Sequence, residues 1–398
     1  MVLVLAWPLV GLDRNETASL LRCRGTFQFL TGLPPFPDPQ TLRRFLLHAP
    51  QAFAAQLRRA NDRLLQFVLH LPDHRSRLIL DLDSAVVTTF GHQEGATLGY
   101  DPRYRGKRSY QPLLCIEAGS AHLLGAFLRP GKTDPHSSML ELFRHCWDHS
   151  PADIREVRVR SDAGSYNVSF LSELEDHDTR YAVVAQLRRP LRRILPGLSY
   201  QRVNPDWEMA KCEYRAHSWS EPRRHVVTRR LVATAEHHLT PFQLGRDYYR
   251  GWVTNLDLTP HGLWRFYGGR AAIEVRIREL REDFALANIP TLAFAANRLY
   301  LEVIRFAYNL VAAFQRICFP VDWQSFTLRT LHNKFSCFQA PWFALTIDPS
   351  SGSTKHPKSN LWLTKSSPPL RNSQKSSERK EAFFTPDIGI TLCLLHHL

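Results

Sequence analysis

Cysteine is scarce and unpatterned in this sequence, and no apolar run is long enough to cross a bilayer. The cysteines Cys23, Cys115, Cys146, Cys212, Cys318, Cys337 and Cys393 are odd in number and include no Cys-x-x-Cys pair. That argues against a zinc module and a closed disulfide framework, and it fits a reducing cytoplasm. Histidine does not make up the deficit. His145 and His149 lie four apart and His237 neighbours His238, but no Cys or carboxylate joins them at a metal spacing, so they read as ordinary histidines. The opening Met1-Val-Leu-Val-Leu-Ala-Trp7 lacks a basic leader, and its apolar character stops by Asp13. Thr291 to Phe314 is the most apolar helix-like stretch, yet Arg298, Glu302 and Arg305 interrupt it. A buried core helix is expected there, and no membrane partner. Internal repeats are also missing.

What is present is bulk and positive charge. The 398 residues are 44% hydrophobic, enough for two or three domains around a sizeable core. A formal charge of +14 favours polyanionic partners, of which nucleic acid is the commonest. Charge by itself leaves room for a basic protein that never meets nucleic acid.

Residues 1–75 read as a helical amino-terminal module that contacts DNA. Asp38-Pro39 is a helix start, a capping oxygen followed by a first-turn proline. Gln51 to Leu69 places Phe53, Leu57, Leu64 and Val68 on one face. Arg43, Arg44, Arg58, Arg59 and Arg63 could meet DNA or simply face solvent. Residues 76–187 change texture. Leu78 to Asp83, Tyr110 to Glu117 and Ala121 to Leu128 read as three strands, the last two joined by the turn Ala118-Gly119-Ser120. A helix is expected over Ser137 to His145, then strands over Ile154 to Arg160 and Tyr181 to Leu187. Antiparallel strands followed by alternating strands and helices predict an α/β fold with an RNase H-like mixed sheet and flanking helices. Residues 188–255 read as a β-rich insertion, with Val226 to Val232 as one strand. Residues 256–332 resume helices, from Thr259-Pro260 to about Phe314. Gly268 and Gly269 each cost a helix roughly 1 kcal/mol, which predicts a break near Tyr267. Residues 333–398 form a basic tail rich in Ser, Pro and Lys.

Asp81 and Asp83 stand two apart on the first strand, so both face one side of the sheet. Acids in so apolar a strand are costly to bury unless a cation neutralises them. Asp162 follows the Ile154 strand, and strand ends are where α/β sheets bind ligands. A lone strand-end Asp is as often a turn cap. Tyr267, Arg270, Glu274 and Arg281 are spaced along one helical face, beside an apolar stripe of Ile273, Ile277, Leu280 and Phe284. That face could bring Glu274 to the strand aspartates and turn Arg270 and Arg281 to DNA phosphates. It could equally be a surface face of i,i+4 ion pairs. Three carboxylates suit two Mg²⁺ ions, because hard cations take oxygen ligands and a substrate phosphate completes the set. Histidines would select softer metals.

These residues resemble the bacterial insertion-sequence DDE transposases with a Tyr-Arg-Glu-Lys signature, most closely the group called insertion sequence thirteen-eighty. The likeness runs from Thr41-Leu-Arg-Arg-Phe45 to Leu331. It is densest at Leu80-Asp-Leu-Asp-Ser84, Gly91-His-Gln-Glu-Gly-Ala96, Arg105 to Leu114, Val157 to Gly164, and Tyr267 to Phe284. The resemblance implies Asp83, Asp162 and Glu274 as catalytic acids and metal ligands, with Asp81 as the fallback for the first. Asp162 lies 79 residues after Asp83, and Glu274 a further 112, room for the β-rich insertion such enzymes carry. It further implies Mg²⁺, two ions with Mn²⁺ able to substitute, and DNA contacts from Tyr267 and Arg270. The DNA partners would be terminal inverted repeats and target DNA, held by a homodimer in a bacterial cytoplasm at the nucleoid.

The sequence departs from the pattern at Arg281, where Lys is usual, and at Ala85, where Thr is usual. Its amino terminus is short and its tail diverges, so the rival expectation is a truncated, catalytically silent copy that only binds DNA. A nuclease of RNase H type without strand transfer is a third option. Arg105, Lys107 and Arg108 are expected to contact DNA, as are clusters at Arg188, Arg189, Arg192, Arg193 and at Arg223, Arg224, Arg229, Arg230. Tyr200, Trp207 and Trp219 could stack on unpaired bases, although core packing is the better expectation for each.

Overall fold

Asp38 starts the first helix as its chemistry requires. In the computed structural model, which describes residues 37–70, 76–99, 104–132, 135–151, 153–231, 247–331 and 333–334, its Oδ1 accepts from the Gln40 and Thr41 amides at 2.7 and 3.0 Å. The expectations for the residues before 37 and for the basic tail lie outside the described residues. Two compact units divide the chain, Met1–Leu328 and Arg329–Leu398, and the elements below belong to the first. Helix α1 is Pro39–His48 and α2 is Gln51–Leu69, with Leu57, Leu64 and Val68 buried as the periodicity predicted.

The strands follow: β1 (Arg77–Ser84), β2 (Val87–Thr89), β3 (Thr97–Leu98), β4 (Arg108–Tyr110), β5 (Leu113–Glu117) and β6 (Leu123–Phe127). The predicted single strand from Tyr110 is therefore two, split at Gln111-Pro112. Pro112 has no N–H to give a ladder, and its carbonyl accepts from Ala85 instead. After α3 (Pro135–Asp148) come β7 (Glu156–Ser161), α4 (Val168–Asp176), β8 (Arg180–Val184) and the short α5 (Arg189–Ile194). Strands β9 (Gln201–Asn204), β10 (Trp207–Tyr214), β11 (Arg223–Leu231) and β12 (Asp247–Thr254) precede the helices α6 (Pro260–Gly268), α7 (Ala271–Glu282) and α8 (Phe294–Cys318).

One nine-stranded sheet runs in the order β6-β5-β1-β7-β8-β12-β11-β10-β9. Its first five strands, antiparallel at β6-β5-β1 and parallel at β1-β7-β8, make the RNase H-like mixed sheet expected from the sequence. The β-rich insertion does not form a sheet of its own. Trp252, Val253 and Thr254 of β12 pair with Val184, Val183 and Ala182 of β8, so the insertion prolongs the core sheet. A small second sheet, β2-β4-β3, springs from the carboxyl end of β1.

Strand alternation assigns the faces. Leu78, Leu80 and Leu82 pack with Met139, Leu142 and Phe143 of α3 and with Phe170, Leu171 and Leu174 of α4. On the other face, Leu114 and Ile116 meet Ile273 and Leu280 of α7, Phe284 just beyond its end, and the long α8. Burying each of these three side chains contributes about 1.5–3 kcal/mol, which docks a helix otherwise rich in charge. Helix α8, the buried helix anticipated around Thr291 to Phe314, also covers the open edge of β6. Asn309 exchanges hydrogen bonds with the Leu123 amide and carbonyl at 2.8 and 2.9 Å, and Arg305 donates to the Leu123 and Leu124 carbonyls. An exposed edge would otherwise invite pairing with another chain. Between the α7–α8 patch and a second apolar patch of Ala182, Val226, Trp252 and Leu263, the middle strands β1 and β7 present polar residues. No helix among the described residues is long and apolar enough to cross a membrane.

Candidate active site

The two strand aspartates meet because β1 and β7 are parallel neighbours in register. Asp81 pairs with Arg160 and Leu82 with Ser161, so the next step sets Asp83 beside Asp162 at the carboxyl ends of both strands. Adjacent strands lie about 4.8 Å apart, close enough for two like charges to repel. Asp162 also caps the turn Ala163–Ser165, accepting from the Gly164 amide at 3.0 Å. The capping role expected of a lone strand-end Asp thus coexists with its place in the pair.

Above these strand ends lies the joint between α6 and α7. Thr259 caps α6 through Oγ1, which accepts from Gly262 at 3.1 Å, and the helix stops at Gly268 as predicted. Gly269 is required for a close approach: a Cβ there would stand 2.4 Å from Nη1 of Arg160. Arg160 cannot easily yield. It donates to both oxygens of Asp81 at 2.6 and 2.7 Å and to the Phe266 carbonyl at 2.8 Å, with Phe266's ring 5.3 Å from its guanidinium. Tyr267 Oη donates to the Ser161 carbonyl at 3.3 Å, and its ring packs 5.6 Å from Trp252. Arg270 is 8% exposed; it pairs with Asp83 at 3.0 Å and donates to the Leu82 carbonyl at 3.2 Å.

Burial is the largest influence on Asp83 and raises its carboxyl to about 6. Arg270 opposes that rise, while the charge of Asp162 adds to it. Burial likewise raises Asp81, partly offset by Arg160. The two acids on one strand face therefore have different fates. Asp81, 1% exposed, has both oxygens committed to a buried guanidinium. Asp83 keeps an incompletely neutralised charge beside a second carboxylate. Arg270, expected to face DNA, is turned inward in this resting chain, because a buried carboxylate pair draws the nearest cation.

Glu274 stands one helical turn beyond Arg270, exposed, and engages no hydrogen bond or ion pair among the described residues. Arg281 is half-buried near the end of α7. Among the described residues no three His, Cys, Asp or Glu side chains are grouped closely enough to hold a metal ion. Asp83 and Asp162 fit two ligands of a hard divalent cation, all oxygen and short of positive charge.

The basic clusters separate by burial. Arg105, Lys107 and Arg108 are exposed on the small sheet, and Arg188, Arg189 and Arg193 are exposed at α5. Three of the four arginines of β11 are engaged inside the fold. Arg223 holds Glu175, Arg224 donates to the Leu256 and Leu258 carbonyls, and Arg229 holds Glu208. The insertion's aromatics pack internally too: Trp219 stacks on His225 with centroids 5.9 Å apart, Trp207 lies against Trp264, and Tyr200 receives Arg229. The sequence reading missed Arg160. Its signal was the arginine facing Asp81 in register, legible only once the strand pairing is known.

The family described as Transposase DDE domain group 1 matches residues 10–336. No curated protein matches the chain. Among solved structures, the piggyBac transposase synaptic complex with hairpin DNA is similar at 11% identity and a TM-score of 0.45, covering 87% of this chain and 72% of that one. The Mos1 transposase paired-end complex with left transposon end is 11% identical at a TM-score of 0.20, over 43% of this chain and 58% of its own. The Drosophila P element transposase strand transfer complex is 14% identical at 0.21, over 42% and 36%. The family match spans most of the sequence, and this chain belongs to the DDE transposase domain group 1 family.

Proposed function

We propose that the chain is a transposase that cleaves DNA and transfers the freed strand, using Asp83, Asp162 and Glu274 as its acidic triad. What supports this is the parallel register of β1 and β7, which ends at Leu82 and Ser161 and so leaves Asp83 and Asp162 as the next residues of the two chains, beneath the joint that bears Tyr267, Arg270 and Glu274. The finer assignment is to insertion sequences of the thirteen-eighty group, with Tyr267, Arg270 and Glu274 in the Tyr-Arg-Glu-Lys signature and Arg281 in its last place. Divalent metal, Mg²⁺ with Mn²⁺ as substitute and two ions at full loading, would supply activation of the attacking oxygen and stabilisation of the leaving one.

Asp83, Asp162 and Glu274 would hold that metal. Arg270 pairs with Asp83; with Asp83 on a metal, the same guanidinium would be free to grip a phosphate beside the scissile bond. Tyr267 keeps the joint seated on Ser161. Water attacks phosphorus and the bond to the 3′ oxygen breaks, leaving a 5′-phosphate; the released 3′-hydroxyl then attacks a target phosphate, whose own bond to its 3′ oxygen breaks and frees a target 3′-hydroxyl. Exposed Arg105, Lys107 and Arg108 would bind the backbone of the DNA. Two element ends must be held together, so a homodimer on terminal inverted repeats and target DNA is the expected assembly, in a bacterial cytoplasm at the nucleoid.

One observation favours a second reading. Glu274 engages neither aspartate, as a catalytically silent, DNA-binding copy would also show. The separating experiment incubates the purified chain with a plasmid carrying the genomic DNA that flanks its gene. An active enzyme nicks that DNA with Mg²⁺ or Mn²⁺, and Asp162→Asn abolishes nicking. Salt-sensitive binding with no cleavage under either metal supports the silent copy instead.

A further inference from the structure

Three of the large apolar side chains that lie exposed on the described fold lie on the small β2-β4-β3 sheet or its flanking turns: Phe90 at 74%, Leu98 at 61% and Tyr104 at 44%. Single exposed apolar residues need no explanation, but a cluster does. The register gathers them at one end. Thr89 and Leu98 both pair with Arg108, so Phe90, one residue past Thr89, and Lys107, one before Arg108, project from the same tip. Phe90 and Tyr104 meet edge to face with centroids 5.7 Å apart. Arg105, Lys107 and Arg108 around them are exposed. Glu94, the acid of this region among the described residues, is turned away onto the Phe294 amide at 2.9 Å. Exposed aromatic rings among exposed cations match nucleic acid with unpaired bases: cations for the backbone, rings for the base faces.

The opposite end of the small sheet is anchored. Tyr110, paired with Val87, is fully buried in the main core, and the Ala85 amide donates to Pro112 at 2.8 Å. The tip is thus a projection from the carboxyl end of the strand that carries Asp83. Seven residues separate Asp83 from Phe90, which caps their separation at about 25 Å. That is roughly seven base pairs of duplex at about 3.4 Å each.

Resting on the proposed DNA-cleaving function, we infer that this tip is a DNA-end wedge. Phe90 stacks on an unpaired base close to the cleaved bond, while Arg105, Lys107 and Arg108 hold the adjoining phosphates. Its ligand is DNA whose end is frayed or single-stranded, in preference to closed duplex.

The test compares the full chain's affinity for a blunt duplex and for the same duplex with an unpaired 2-aminopurine tail. The wild type is expected to prefer the tailed duplex and to quench its fluorescence. Phe90→Ala loses the quenching and about tenfold in affinity for the tail alone, and Phe90→Trp restores both. Lys107→Ala weakens both duplexes together and flattens the salt dependence. Thermal melts confirm folding, which a residue this exposed should not disturb. Equal binding of both duplexes by the wild type, or an unchanged Phe90→Ala, overturns the wedge while nicking and its loss in Asp162→Asn still stand. If the wild type binds no DNA at all, the transposase reading falls with it. Light scattering that shows a DNA-free dimer dissolved by Phe90→Ala makes the patch a self-association surface and also overturns the proposal.

Discussion

On the proposed function, in which Asp83 is a metal ligand, metal binding depends on pH in a way an ordinary carboxylate would not give. Burial and the neighbouring Asp162 raise it from 3.8 to about 6 against the pull of Arg270. The sign follows from linkage. A carboxyl raised in the folded state takes up its proton more readily than in the unfolded chain, so this group costs stability above about 6 and the cost is relieved as pH falls toward 3.8. The difference of about two pH units corresponds to roughly 3 kcal/mol at neutral pH, an upper bound because the side chain is partly exposed. A metal ion must compete with the same proton. Its affinity should be about tenfold weaker at pH 5 than at pH 7, whereas a ligand titrating near 3.8 would lose less than about a tenth. Mn²⁺ titration followed by the spin resonance of the free ion reads this directly. Arg270→Gln removes the largest opposing influence and should move the break to higher pH. Constant affinity from pH 7 to pH 5, or a break moved downward by Arg270→Gln, would refute the reasoning.

Three other outcomes follow from the packing. Asp81→Ala should cost about 3–5 kcal/mol in urea unfolding, because it strands Arg160 in the interior, and Asp81→Leu with Arg160→Met should recover most of that; a loss under about 1 kcal/mol would show that the pair is not buried as described. Gly269→Ala should cost about 1–3 kcal/mol and depress nicking, since the added methyl meets a guanidinium pinned at three points; wild-type stability and nicking would contradict the close approach. Burial lowers His122 to about 3 and both His145 and His225 to about 4, so their contribution is present above 6.5 and is lost as pH falls toward those values. A melting temperature that falls on acidification below about 6.5, and falls less in His225→Gln, is the expected result; acid melts unmoved by that substitution would oppose it.

Much of the fold was legible because local chemistry decided it. The cap at Asp38, the face of α2, the break at Gly268-Gly269 and the burial of α8 each follow from residues close together in sequence. What escaped was decided by pairing between distant segments. Nothing around Val226 or Trp252 says that their strands extend the core sheet through β8. The arginines of β11 read as a basic surface, yet alternation and close acceptors such as Glu175 turned three of them inward. At the site, the spacing of Asp81 and Asp83 placed both on one face, but their different roles depend on Arg160 and Arg270, which arrive from β7 and from the α6–α7 joint. Pro112 was a visible signal against a continuous strand from Tyr110.

The shared use of Asp83, Asp162 and Glu274 is tested most directly by anomalous diffraction from Mn²⁺ in crystals of the chain bound to DNA. Manganese between Asp83 and Asp162, with Glu274 drawn to about 2.0–2.2 Å and Arg270 moved from Asp83 onto a phosphate, is the predicted result. Manganese elsewhere, or Glu274 still facing solvent with Arg270 on Asp83, would contradict it.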